Sequence, residues 1–94
     1  MLTWNVTYHV KPGKRDAFYA ALCDLGVRAN SYTEEGCLKY DYYFSAENPD
    51  QLLLVETWTE PELQVAHCQT EMFAKLGALK EEFCDDVSID KFNF

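Results

Sequence analysis

The eight residues Gln51-Leu52-Leu53-Leu54-Val55-Glu56-Thr57-Trp58 constrain the fold more than any other stretch of the chain. A run this short and this rich in branched apolar residues reads as a strand. Leu52 and Leu54 fall on one face of it, and Leu53 and Val55 on the other. Both faces therefore need a cover. A sheet with helices on one side satisfies only half of that demand.

The rest of the chain supplies such a sheet. Leu2 to Val10 alternates, with Leu2, Trp4, Val6, Tyr8 and Val10 on one side, which predicts a strand with one apolar face. Lys11-Pro12-Gly13-Lys14 ends it in a turn. Phe18, Leu22, Leu25, Ala29 and Tyr32 form one stripe, so a helix is expected from Arg15 to Tyr32, weakened at Gly26 by about 1 kcal/mol relative to alanine. Glu34-Glu35-Gly36 breaks it. Cys37 to Phe44 reads as a second strand, Asn48-Pro49 as a hairpin turn, and Gln51 to Trp58 as the third strand. Thr59 with Glu62 resembles a capping box for a second helical region, broken near Gln69-Thr70. Met72, Leu76, Leu79 and Phe83 then carry a second stripe, Asp85-Asp86 ends it, and Val87 to Phe94 reads as a fourth strand.

The order β-α-β-β-α-β predicts an α+β, ferredoxin-like split arrangement with a four-stranded antiparallel sheet, as a single domain over residues 1–94. Right-handed crossovers put both helices on one face. Six Phe, six Tyr and two Trp exceed what one small core needs. A second copy of the sheet, in a face-to-face homodimer, would cover the other face.

Composition excludes some partners. Sixteen acidic residues against eight basic ones give a net charge of −8. Nucleic acid and anionic membrane surfaces would be repelled. No apolar run approaches the ~20 residues that span a bilayer. Met1 leads straight into strand-like sequence without a signal-like segment. Cys23, Cys37, Cys68 and Cys84 form no CxxC pair and no zinc signature. The expectation is a cytoplasmic protein with free, mostly buried thiols, no metal and no cofactor.

Chemistry concentrates at one end of the sheet. Glu56 and Trp58 share a strand face, and His67 follows within the next helix. A neutral imidazole there could accept a phenolic proton. Trp58 could stack on an aromatic ligand and donate one hydrogen bond. Glu56 would be half buried, needing a partner or acting as a base with a raised pKa. Tyr8, Tyr40 and Tyr42 project to the same side, and Leu54, Met72 and Phe73 would complete the wall. Asn5 and His9 fall on the opposite face, toward a second subunit or water.

Several pieces in this order resemble the antibiotic biosynthesis monooxygenase family: Val10-Lys11-Pro12-Gly13-Lys14, Glu35-Gly36-Cys37-Leu38-Lys39-Tyr40, Asn48-Pro49-Asp50, Glu56-Thr57-Trp58 and Ala66-His67. The resemblance implies a dimeric α+β barrel. It implies a cofactor-independent monooxygenase that oxidises a quinol or phenolic aromatic with O₂, with His67 assisting loss of the substrate proton. Three positions depart from family patterns. Met72 stands where many members have a second histidine before the phenylalanine. Leu54 stands where polyketide-oxidising members have an asparagine. Ala74-Lys75-Leu76-Gly77 lacks the histidine of haem-degrading relatives. Two other readings stay open: an isomerase that shuttles a proton between His67 and Glu56, or a non-catalytic small-molecule-binding dimer.

Overall fold

A computed structural model describes residues 1–94. The elements run β1 (Leu2–Val10), α1 (Arg15–Leu25), α2 (Val27–Thr33), β2 (Cys37–Phe44), β3 (Gln51–Trp58), α3 (Pro61–His67), α4 (Glu71–Phe83) and β4 (Cys84–Asn93). The strands form one antiparallel sheet in the order β2-β3-β1-β4. This is the expected α+β ferredoxin-like arrangement.

The register sorts the side chains. Trp4, Val6 and Tyr8 of β1 lie across from Glu56, Leu54 and Leu52 of β3. Those three lie in turn across from Tyr40, Tyr42 and Phe44 of β2. Phe18 and Leu22 of α1, Val27 of α2 and Leu76 of α4 join the inner residues of this face in one buried cluster. Full burial of side chains of this size stabilises by roughly 1.5–3 kcal/mol each, which fixes the face that the helices cover. Leu53, Val55 and Thr57 point to the other face and are partly exposed. No helix is long and apolar enough to cross a membrane.

Four local expectations are corrected. The first helix is two helices. Gly26 adopts φ +81°, and its N–H bonds the carbonyls of Leu22 and Cys23, closing α1 and opening α2. A glycine takes that left-handed conformation without the steric cost of a Cβ. The kink re-phases the stripe: Val27 and Ser31 are buried, while Ala29 and Tyr32 face outward.

Thr59 does not cap α3. Glu60 holds the N-cap position, Pro61 opens the helix, and no side chain caps it. Thr59 lies in the bend between β3 and α3, where its N–H donates to the Gly36 carbonyl at 2.9 Å. The break near Thr70 occurs as expected, and there the Thr70 hydroxyl accepts from the Phe73 N–H, capping α4.

The last strand starts at Cys84 rather than Val87, immediately after Phe83. Asp85 and Asp86 are edge-strand residues exposed to solvent, where their charges cost nothing. The four thiols are free, but Cys23 is exposed and Cys37, Cys68 and Cys84 are only partly buried.

The hairpin between β2 and β3 is pinned from a distance. Arg15 donates from one Nη1 to the carbonyls of Ser45, Asn48 and Gln51 at 3.1, 3.2 and 3.4 Å. The Asn48 side chain accepts from the Asp50 N–H at 2.9 Å. This fixes where β3 begins, and through its register where Glu56 and Trp58 come to lie.

Candidate active site

Glu56 and Trp58 are two residues apart on one strand, so both side chains enter the space under the helices. Both are buried, Glu56 at 4% exposure. The Trp58 Nε1–H donates to Glu56 Oε1 at 2.9 Å. Burial of the carboxyl, which disfavours its charge, raises its pKa above the ordinary value. The Trp58 donor, the His67 ring, the Gln64 amide and Lys80 oppose that shift in part. Glu56 therefore holds a proton more readily than a surface carboxylate does.

His67 closes α3 and is 1% exposed. Its Nδ1 lies 3.1 and 3.0 Å from the two carboxylate oxygens of Glu34, at the end of α2. A carboxylate only accepts, so Nδ1 carries a proton, and the tautomer this contact selects has its lone pair at Nε2. Nε2 is buried and has no partner. The ring sits among Trp58, Tyr40 and Phe73, with centroids 5.0, 5.5 and 5.6 Å away. A carboxylate that orients an imidazole whose free nitrogen is buried and unpartnered is the arrangement a general base needs.

Gly36 makes this meeting of α2 and α3 feasible. Its φ is +81°, and a Cβ there would overlap the Leu63 side chain and lie 2.7 Å from Thr59 Oγ1. Only glycine lets the start of β2 pass under α3 so closely. Glu34, two residues earlier, is thereby held under His67.

A small cavity of about 60 Å³ lies beside this pair, between the sheet and α3 and α4. Glu56, Tyr8, Tyr40, Phe73, Trp4 and Lys80 are among its lining residues. His67 and Trp58 stand behind that lining: Trp58 bonds Glu56, and the His67 ring abuts Tyr40 and Phe73. A cavity that binds benzene measures about 150 Å³, well above this one, so an aromatic ligand must displace part of the wall. Phe73, half-buried in the first turn of α4, covers both the cavity and His67.

The remaining expected residues are placed as follows. Tyr8 and Tyr40 line the cavity, and burial pushes both hydroxyls well above the usual tyrosine pKa. Tyr42 lines a different groove, with Tyr19, Leu22, Cys23 and Arg28, and its hydroxyl is buried without a partner. Leu54 is a core residue, and Met72 packs at the edge of the core without lining the cavity. On the far face His9 Nε2 is 2.8 Å from Ser88 Oγ, and Gln51 reaches Nδ1 at 3.5 Å. The Gln51 amide can donate to Nδ1, which leaves Nε2–H to donate to Ser88, so the serine is not activated.

Burial raises the Cys68 thiol and pushes those of Cys37 and Cys84 up to about 11, away from nucleophilic behaviour. No group of three or more His, Cys, Asp or Glu side chains is arranged to hold a metal ion. Glu34 is the residue that sequence reasoning missed. It read as part of a helix break, and its contact with His67 spans 33 positions.

Fold and site define a small α+β protein with a carboxylate-held histidine under a ferredoxin-like sheet. The family model for antibiotic biosynthesis monooxygenases matches residues 1–78, and the chain belongs to that family. A search of curated proteins finds no match. Among solved structures, a Bacteroides thetaiotaomicron protein described as a possible oxidoreductase is 31% identical, with a TM-score of 0.86 over 99% of this chain and 96% of that one. A Pseudomonas aeruginosa protein is 28% identical, with a TM-score of 0.87 over 99% and 92%. A Nitrosomonas europaea protein, named provisionally as an antibiotic biosynthesis monooxygenase, shares the fold at a TM-score of 0.90 over 100% and 98%, with 21% identity.

Proposed function

We propose that this chain is a cofactor-independent monooxygenase that oxidises a quinol or related phenol with O₂. The observation that carries the reading is the His67 Nε2, buried, unpartnered and backed by Glu34 through Nδ1. The family supports the reaction class. The substrate ring enters the cavity by moving Phe73 aside, which enlarges the space and uncovers His67.

His67 Nε2 takes the phenolic proton, and Glu34 stabilises the imidazolium that forms. The phenolate passes one electron to O₂. The aryloxyl radical and superoxide then join through a new C–O bond, and the resulting peroxide anion takes the proton back from the His67 imidazolium to give a hydroperoxide. His67 Nε2 then takes the ring proton from the oxygenated carbon as the O–O bond breaks, so the C–H electron pair forms the quinone carbonyl and hydroxide departs. One O₂ is consumed per substrate; one oxygen atom enters the ring and the other leaves as water. Glu56, whose burial favours its protonated form, supplies the proton to the departing hydroxide. Apolar walls keep bulk water from the anion, which strengthens each of these interactions.

A second copy of the chain completes the particle. The uncovered sheet face carries Leu53, Val55 and, at 44% exposure each, Tyr43 and Phe92. A homodimer that stacks these faces covers the second side of β3. Oxygen-electrode traces with a panel of quinols test the enzymatic reading. The expected result is uptake at one O₂ per quinol and a product heavier by one oxygen and lighter by two hydrogens. Proton rearrangement of a substrate without O₂ uptake would instead establish the isomerase reading.

A further inference from the structure

We infer that Lys80 makes this site selective for aromatic substrates that carry a carboxylate, an inference that rests on the oxygenation reading above. Lys80 is the one cation that lines the cavity. Acidic residues outnumber basic ones two to one in this chain, sixteen to eight, yet the Lys80 ammonium joins no ion pair. Its Nζ lies instead over the Phe73 ring, 4.8 Å from the centroid. The two residues are seven apart on α4, two turns along one helix face.

The cavity thus has two chemically opposite features. The buried Glu56 carboxyl offers a hydrogen bond to an oxygen on the substrate ring, and the Lys80 ammonium meets an anionic arm. Trp4 also lines the cavity, and its indole N–H is buried without a partner. Lys91 sits over the Trp4 ring at 4.5 Å, outside the lining. A single ammonium in the wall matches the one charge of a carboxylate, whereas a phosphate group calls for several cationic or backbone donors.

The position of Lys80 also couples binding to opening. A cation resting on an aromatic face is held weakly, and a charge-assisted hydrogen bond to a carboxylate is stronger. An acidic arm draws the ammonium off Phe73. The freed ring then swings from the cavity and exposes His67. A neutral quinol lacks this pull on the ammonium and must displace the ring by its own contacts alone.

The test uses a hydroquinone that bears a carboxymethyl arm and the methyl ester of the same compound. Both are titrated calorimetrically into wild type, Lys80→Met and Lys80→Arg, with oxygen uptake followed in parallel. Wild type is expected to bind the acid about tenfold more tightly than the ester. Lys80→Met brings the ratio to about one, and Lys80→Arg keeps most of it. Equal affinities in wild type, a preference that survives in Lys80→Met, or binding of neither compound would overturn the inference. Acid-selective binding without oxygen uptake upholds Lys80 as the selective residue and removes the oxygenation reading. Uptake with equal affinities does the reverse.

Discussion

Glu34 Oε2 lies 3.0 Å from Nδ1 of His67, across a separation of 33 residues. The contact joins the end of α2 to the end of α3 and fixes which nitrogen of the ring stays free. The carboxylate is a positioning residue, since it touches no part of the cavity. In Glu34→Gln the amide can meet either tautomer, so the preference for a lone pair at Nε2 is lost. A fall of about 10- to 100-fold in kcat with little change in KM is expected, by analogy with other groups that orient a histidine. Imidazole nitrogen NMR shifts should show the Nδ1–H tautomer in wild type and a mixture in the variant. An unchanged tautomer would limit Glu34 to packing.

Glu56 predicts a pH dependence of stability. Its folded pKa is raised above the unfolded value of about 4.3. Between those two values the folded state binds more protons than the unfolded one, so stability falls as pH rises through that window. Below the window the carboxyl is neutral in both states and the penalty is absent. Glu56→Gln should therefore raise Tm at neutral pH and leave it nearly unchanged near pH 4. Trp58→Phe removes the donor to the carboxylate, at a cost of about 1–3 kcal/mol that is larger at high pH. Thermal melts of both variants across pH check the pair. Parallel curves for wild type and Glu56→Gln would show that the carboxyl is not raised.

Gly36 carries the approach of α3 to β2. Gly36→Ala adds a side chain at φ +81° and against Leu63. A loss of about 1–3 kcal/mol in denaturant unfolding is expected, with His67 and Glu34 separating. Gly26→Ala, which has open space around it, should cost less because it meets only the backbone penalty. Equal losses at the two glycines would contradict the packing argument.

Leu53 tests the second copy. It lies on the uncovered face of the sheet, opposite Thr7 and Tyr43. Leu53→Asp should convert a dimer to a monomer in sedimentation velocity, because an unpaired charge would be buried between the faces. A wild-type protein that sediments as a monomer at micromolar concentration would remove the dimer from this account.

The sequence made the sheet legible because its signals are periodic and local. The bounds of β2 and β3 are as expected, and Glu56, Trp58 and the inner tyrosines fall on the face that period two assigns. The break near Gln69-Thr70 falls where expected, and the structure adds that Thr70 caps α4 there. The misses have local causes of another kind. A glycine within a helical stripe gives no sign of whether it weakens the helix or, as Gly26 does, turns it. Thr59 and Glu62 have the right spacing for a capping box, but Pro61 starts the helix one residue later than that pattern needs. Glu34 was invisible as a site residue because pairing across distant elements leaves no periodic trace. Trp58 was expected to face a ligand, yet it lies behind Glu56, since a residue's face does not reveal its depth in the core.

The most direct measurement is the rate of oxygen uptake with the best quinol of a panel, compared between wild type and His67→Ala under metal-stripped conditions. A rate lower by about 10²–10⁴-fold is expected in the variant, with the fold retained by circular dichroism. Equal rates in the two proteins would show that His67 Nε2 takes no proton from the substrate, and the proposed mechanism would be wrong.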